Sequence, residues 1–147
     1  MTQRTDGVRV EWLILADAAQ IMGNKLYLMG GGWDSLTLNQ PMPVDHHMAV
    51  AMSLLVPWNA TNQRHNFEVE IITDDGKSLA TINGQVEAGR PQGVKPGQEQ
   101  RTQIAFNVGL RLEKAGGYSV VARMNGQEQG RTVFNVASAP AAMKRSA

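Results

Sequence analysis

Between Ile104 and Leu112 every second residue is apolar, and this two-residue period constrains the fold more than any other feature of the chain. Ile104, Phe106, Val108, Leu110 and Leu112 alternate with Ala105, Asn107, Gly109 and Arg111. At 180° per residue one face goes to a core and the other to solvent, whereas a helix would scatter the same side chains round its axis. Phe67, Val69 and Ile71 repeat the pattern against Glu68 and Glu70, as do Tyr118, Val120, Ala122 and Met124. Further strands are expected over Trp12–Ile21, Leu26–Leu38, His46–Val56, Leu79–Val86 and Thr132–Val136. Turn signals punctuate the runs at Gly23-Asn24, Asp75-Gly76 and Asn125-Gly126, residue types that tolerate the positive φ of tight hairpins. The chain thus reads as about eight strands at the spacing of a sandwich or barrel. Ile104, Phe106, Val108, Leu110, Phe67, Val69 and Ile71 are expected inside.

A length of 147 residues suits one domain, expected over residues 8–137 between a flexible N-terminus (1–7) and a flexible tail (138–147). Fourteen basic against 13 acidic side chains leave a net charge of +1. No run forms the basic patch that holds a phosphate backbone, the nearest pair being Lys144-Arg145. A basic amphipathic stretch for a membrane surface is missing too. The most apolar segment, Trp12–Met22, is broken by Asp17 and Gln20 and is shorter than the roughly 20 residues a spanning helix needs. Neither nucleic acid nor a membrane is therefore an expected partner. With no cysteine, disulfides, thiolate metal sites and cysteine nucleophiles are excluded. No signal-like apolar core follows Met1–Gly7, so a cytoplasmic location is expected.

Leu112-Glu113-Lys114-Ala115-Gly116-Gly117-Tyr118 resembles the tyrosine corner of immunoglobulin and fibronectin type III sandwiches. The resemblance implies Leu112 packed into the core, Gly116 in the turn, and the Tyr118 hydroxyl bonded back to the backbone. Val120 stands where antibody domains carry a cysteine. The expected fold is accordingly all-β, an immunoglobulin-like antiparallel β-sandwich of about seven to eight strands. Ala16-Asp17-Ala18-Ala19-Gln20, the run Lys25-Leu26-Tyr27-Leu28-Met29-Gly30-Gly31-Gly32-Trp33-Asp34, and the closing Phe134-Asn135-Val136 are similar to an uncharacterised family of small bacterial proteins, a domain of unknown function. That resemblance implies a β-sandwich without known activity and carries over no catalytic residue.

Asp45-His46-His47 holds the only histidine pair. Adjacent strand residues point to opposite faces, and zinc needs about three protein ligands, the third here having to come from Asp34, Asp17 or His65. Loop-edge histidines are expected, with no metal and no other cofactor. Gly30-Gly31-Gly32-Trp33-Asp34 lacks the following helix that a phosphate loop requires, because Leu36-Thr37-Leu38 continues as strand. A glycine bulge or sharp bend that positions Trp33 is expected instead. Asp17 lies in an apolar run, and a pairing with Asp34 would supply the two carboxylates that acid/base work uses. A solvated bulge, or backbone N–H partners, would satisfy Asp17 equally well. No serine sits in a Gly-x-Ser-x-Gly elbow, and no catalytic residues are expected.

Trp12 keeps register with Val8, Val10 and Ile14 and is expected in the core. Trp58, beside Pro57 in the polar stretch 57–65, is expected to be exposed, with Arg64 and His65 as a polar rim around an aromatic anchor. Trp33 is a second candidate binding residue. These features fit a non-enzymatic binding or structural module that takes a protein partner or self-associates. The alternatives are a carbohydrate-binding module using Trp58 or Trp33, or a small enzyme built on Asp17, Asp34, His46 and His47.

Overall fold

In the computed structural model, which describes residues 7–138, the alternating runs become nine strands. They are β1 (Arg9–Met22), β2 (Lys25–Gly31), β3 (Ser35–Leu38), β4 (Val44–Val56), β5 (Arg64–Thr73), β6 (Ser78–Glu87), β7 (Gln100–Leu112), β8 (Gly116–Met124) and β9 (Gln127–Ser138). A single 3-10 turn, Trp58–Ala60, lies between β4 and β5. Apart from Gly7 and Ser138, the two ends expected to be flexible lie outside the described residues. Among the described residues no helix is long and apolar enough to cross a membrane.

One sheet has the order β2-β1-β4-β7 and the other β3-β9-β8-β5-β6. All neighbours are antiparallel except β3 and β9. The chain changes sheet from β2 to β3, returns from β3 to β4, and changes again between β4 and β5, between β6 and β7, and between β7 and β8. This sets the β4–β7 pair against the β5-β8-β9 group, the arrangement of an immunoglobulin-like sandwich. Nine strands replace the expected eight because Leu26–Leu38 is not one strand. Gly30 and Gly32 adopt φ of +61° and +87°, which glycine takes without steric cost, and the chain swings from the first sheet to the second between them and Ser35.

The core between the sheets contains Val50, Met52 and Leu54 of β4, Val69 and Ile71 of β5, with Leu112, Val120 and Phe134. Ile104, Phe106 and Val108 pack against it half-buried, since β7 is an edge strand, whereas Leu110 is buried.

Trp12 is not in this core. Val10 pairs with Leu54, but Trp12 pairs with Ser53, so a bulge at Glu11 shifts the register by one residue. A one-residue slip turns every later side chain to the other face. Leu13 and Leu15 therefore align with Met52 and Val50 on the core side, and Trp12 and Ile14 align with Ser53 and Ala51 on the outer face.

Pairing of β1 with β4 ends at Ala16–Ala49. From there β1 pairs with β2 instead, and this hairpin folds over the outer face of its own sheet toward β7. Ala16, Ala19, Ala49 and Ala51 are buried beneath it, with Trp12, Leu26 and Ala105 packed around them. Methyl side chains allow the two layers to approach closely. Strand β4 is thereby buried on both faces, which explains the unbroken apolar run from Met48 to Met52.

Candidate functional site

The folded-over hairpin carries the largest exposed apolar side chains of the described residues. Its register pairs Ile21 with Leu26 and Ala19 with Leu28, and, on the opposite face, Gln20 with Tyr27 and Ala18 with Met29. Ala19 and Leu26 belong to the alanine cluster on the sheet. Met22, Tyr27 and Met29 consequently point away from the protein, with relative exposures of 53%, 49% and 68%. Strand β2 pairs on one side only, so its other edge presents unpaired backbone groups. Between Ala16 and Gly31 the charged residues are Asp17 and Lys25 alone. The Asp17 carboxylate lies in the space that a side chain on Gly30 would occupy. The sequence carried a signal for this face: Leu26-Tyr27-Leu28-Met29 is apolar on both faces of an edge strand, where alternation would make one face polar.

The residues expected to bind do not come together. Trp58 precedes β5 at its Arg64 end, whereas Trp33 packs edge-on against Phe134, with ring centroids 5.8 Å apart. Phe134 aligns with Tyr118, which aligns with Thr73 at the far end of β5. Trp33 is thus half-buried at the opposite end of the sandwich from Trp58. Trp58 is itself only half-exposed, because the Arg90 guanidinium stacks over its ring at 3.7 Å. Arg90 also donates to the Trp58 carbonyl at 2.8 Å and to the Thr61 hydroxyl at 2.6 Å. Arg64 is exposed, 3.9 Å from Glu87. His65, counted in the expected polar rim, is buried with both ring nitrogens engaged. Its Nε2 donates to the Ala60 carbonyl at 2.8 Å, and Asn125 Nδ2 donates to its Nδ1 at 3.1 Å. Its geometry braces the loop rather than displaying a donor.

His46 and His47 diverge. His47 is exposed on the outer face against Gly109. His46 is half-buried with an unpartnered, buried Nε2, and burial holds its pKa below the usual histidine value, opposed by the charge of Asp17. Asp34 is exposed at the entrance to β3, and its carbonyl accepts from Asn135 N–H at 3.0 Å. Among the described residues no three His, Asp or Glu side chains are grouped to hold a metal ion.

At the corner after β7, the Tyr118 hydroxyl donates to the Lys114 carbonyl at 2.5 Å while its ring stacks on Phe134. Leu112 is fully buried, and Gly116 has a φ of +131°. A cleft of about 270 Å³ beside this corner is lined by Asp74, Asp75, Lys77, Glu113 and Lys114. Its three carboxylates face two lysines, Lys114 lying 3.6 Å from Asp75.

A family model for a family of unknown function, DUF6941, matches residues 11–137. The chain belongs to this family. The match spans the hairpin and both sheets, so the outward face of Met22, Tyr27 and Met29 lies within the family's domain. No curated protein matches the chain. Among solved structures it is similar to the C-terminal domain of Wzt, with 14% identity and a TM-score of 0.50, covering 92% of this chain and 77% of that one. It is also similar to the Pseudomonas fluorescens alkylpurine DNA glycosylase AlkC, at 13% identity and a TM-score of 0.48 over 88% of this chain, which spans 30% of the AlkC chain. An immunoglobulin-like protein from Pseudomonas aeruginosa shares 10% identity over 90% of this chain and 99% of that one, with a TM-score of 0.38. The Wzt likeness concerns the fold alone.

Proposed function

We propose that this member of the family is a non-enzymatic binding module that docks a protein on the outward face of its β1–β2 hairpin. The observation that carries the reading is the cluster of Met22, Tyr27 and Met29, exposed on a hairpin whose outer strand, β2, has an unpaired edge. Tyrosine and methionine are enriched where proteins meet, since each offers a large contact area that adapts to its partner. An open edge adds a row of backbone donors and acceptors that an incoming strand satisfies by β-augmentation. Natural proteins usually blunt such edges with charge, proline or a covering element, and β2 carries no charge or proline from Leu26 to Gly31.

A sugar platform finds less support, because Arg90 covers Trp58, Trp33 packs on Phe134, and Tyr27 is the only aromatic residue on the hairpin. An enzyme built on Asp17, Asp34, His46 and His47 finds less still, since the two histidines point apart and Asp34 lies at the start of the other sheet. The reading places the protein in the cytoplasm with neither nucleic acid nor membrane as partner, supported by the near-zero net charge and the lack of cysteine.

A photoreactive residue introduced at Met29 in living cells tests the reading, with the same group at exposed Thr81 on β6 as control. A protein adduct at position 29 and none at position 81 is expected. No protein adduct at position 29 would overturn the proposal.

A further inference from the structure

We infer that the protein docked on the hairpin is a second copy of this chain, joined β2 to β2 in antiparallel about a two-fold axis. The inference rests on the docking surface proposed above and names its occupant.

Self-complementarity is the first argument. Strand β2 runs from Lys25 to Gly31, so its midpoint is Leu28. Antiparallel pairing about that midpoint sets Tyr27 of each copy opposite Met29 of the other, and Leu28 opposite Leu28. Opposed residues of paired strands share a face, so the aromatic ring and the thioether meet on the outward side, a favourable sulfur–aromatic contact. A two-fold interface requires this reciprocity, in which one patch serves both partners.

Charge supplies the second argument. The hairpin has one cation, Lys25, at one end of β2, and one anion, Asp17, reaching over Gly30 at the other. The antiparallel arrangement brings the Lys25 end of each copy to the Asp17 end of its partner. Gly30 and Gly31 have no side chains to stand between them. A parallel arrangement would instead align lysine with lysine. Across two strand spacings of about 5 Å each, the charges sit about one Debye length apart, ~10 Å at 0.1 M salt, so their attraction steers the pairing and weakens as salt rises.

The β6 edge of the second sheet behaves differently. Strand β6 alternates half-buried Leu79, Ile82 and Val86 with exposed Thr81, Asn83, Gln85 and Glu87, a solvated pattern with no apolar outward face.

Sedimentation of the full chain tests the inference. The parent is expected to sediment at twice its 16.0 kDa mass at high concentration and to dissociate on dilution. Tyr27→Lys with Met29→Lys should weaken dimerisation roughly thirtyfold or more, as expected for losing a hot-spot contact, with an unchanged circular dichroism spectrum. Lys25→Asp and Asp17→Lys should each weaken the homodimer, whereas an equimolar mixture of the two variants should form heterodimers. A parent that stays monomeric to about 100 μM, where even weak specific contacts form, would overturn the second copy. A dimer indifferent to the Tyr27 and Met29 changes, or variants that fail to pair on mixing, would overturn it too. If the parent is monomeric and position 29 crosslinks to a different protein in cells, the docking surface stands and its occupant is wrong. If position 29 captures no protein, both proposals fall.

Discussion

Asn107 on β7 holds the backbone of Ala19 with both ends of its amide: Nδ2 donates to the Ala19 carbonyl at 3.1 Å and Oδ1 accepts from the Ala19 N–H at 3.4 Å. A side chain thereby supplies the donor–acceptor pair that a neighbouring strand would otherwise provide. It pins the hairpin to the sheet just where β1 has left β4, and so fixes the direction in which Met22, Tyr27 and Met29 point.

Replacing this amide should free the hairpin without disturbing the core. Asn107→Ala is expected to cost about 1–3 kcal/mol, the range for leaving partly buried groups unpaired. Hydrogen exchange should accelerate at Ala19 while Val50 and Val120 keep their protection. Unchanged exchange at Ala19 would show that the alanine layer alone seats the hairpin.

The bulge in β1 should be sensitive to acid. Glu11 accepts from the Ser53 hydroxyl at 2.7 Å and from two Arg101 nitrogens at 2.7 Å each. These hydrogen bonds, Arg101 first, hold its pKa at about 2 against an ordinary value of 4.5. A depressed carboxylate contributes stability that is fully present above its unfolded pKa and lost as pH falls toward the folded one. Chemical denaturation is therefore expected to show a steeper loss between pH 4.5 and 2 for the parent than for Glu11→Gln. Equal slopes would remove the bulge pair from the account.

The tyrosine corner should separate hydroxyl from ring. Tyr118→Phe removes the bond to Lys114 and is expected to cost about 0.5–1.5 kcal/mol in urea denaturation. Tyr118→Ala also removes the stack on Phe134 and should cost about 3–5 kcal/mol. A Phe variant as stable as the parent would mean that the hydroxyl exchanges this bond for water without loss.

Trp58 and Arg90 should behave as a coupled pair. A double-mutant cycle of Trp58→Leu and Arg90→Ala is expected to give about 0.5–1 kcal/mol of interaction energy in urea melts, the range of a half-exposed cation–π contact. Additive losses would mean that the guanidinium covers the ring without attracting it.

Where structure follows from local pattern, the sequence was legible. The alternation of β5, β7 and β8 and the turns at Gly23-Asn24 and Asn125-Gly126 fold as their residue types dictate, with positive φ at all four turn residues. What escaped depends on partners distant in the chain. The Glu11 bulge that turns Trp12 outward is held by Ser53 and Arg101, 42 and 90 residues away. His65 reads as a loop donor until Ala60 and Asn125 fold around it. The hairpin's outward face was hidden for a related reason. Apolar residues on both faces of Leu26–Met29 read as a buried strand, and only the topology shows that among the described residues nothing covers Tyr27 and Met29.

The central claim, that the hairpin face is covered by a protein in the working state, is tested most directly by methionine oxidation read residue by residue. Met22 and Met29 are exposed, whereas Met48 and Met52 are buried and serve as internal references. In purified protein diluted until it sediments as a monomer, peroxide should convert Met22 and Met29 to sulfoxides and spare Met48 and Met52. The account predicts that in intact cells Met22 and Met29 are strongly protected, approaching the buried pair. Oxidation of Met22 and Met29 in cells as readily as in the dilute monomer would contradict it.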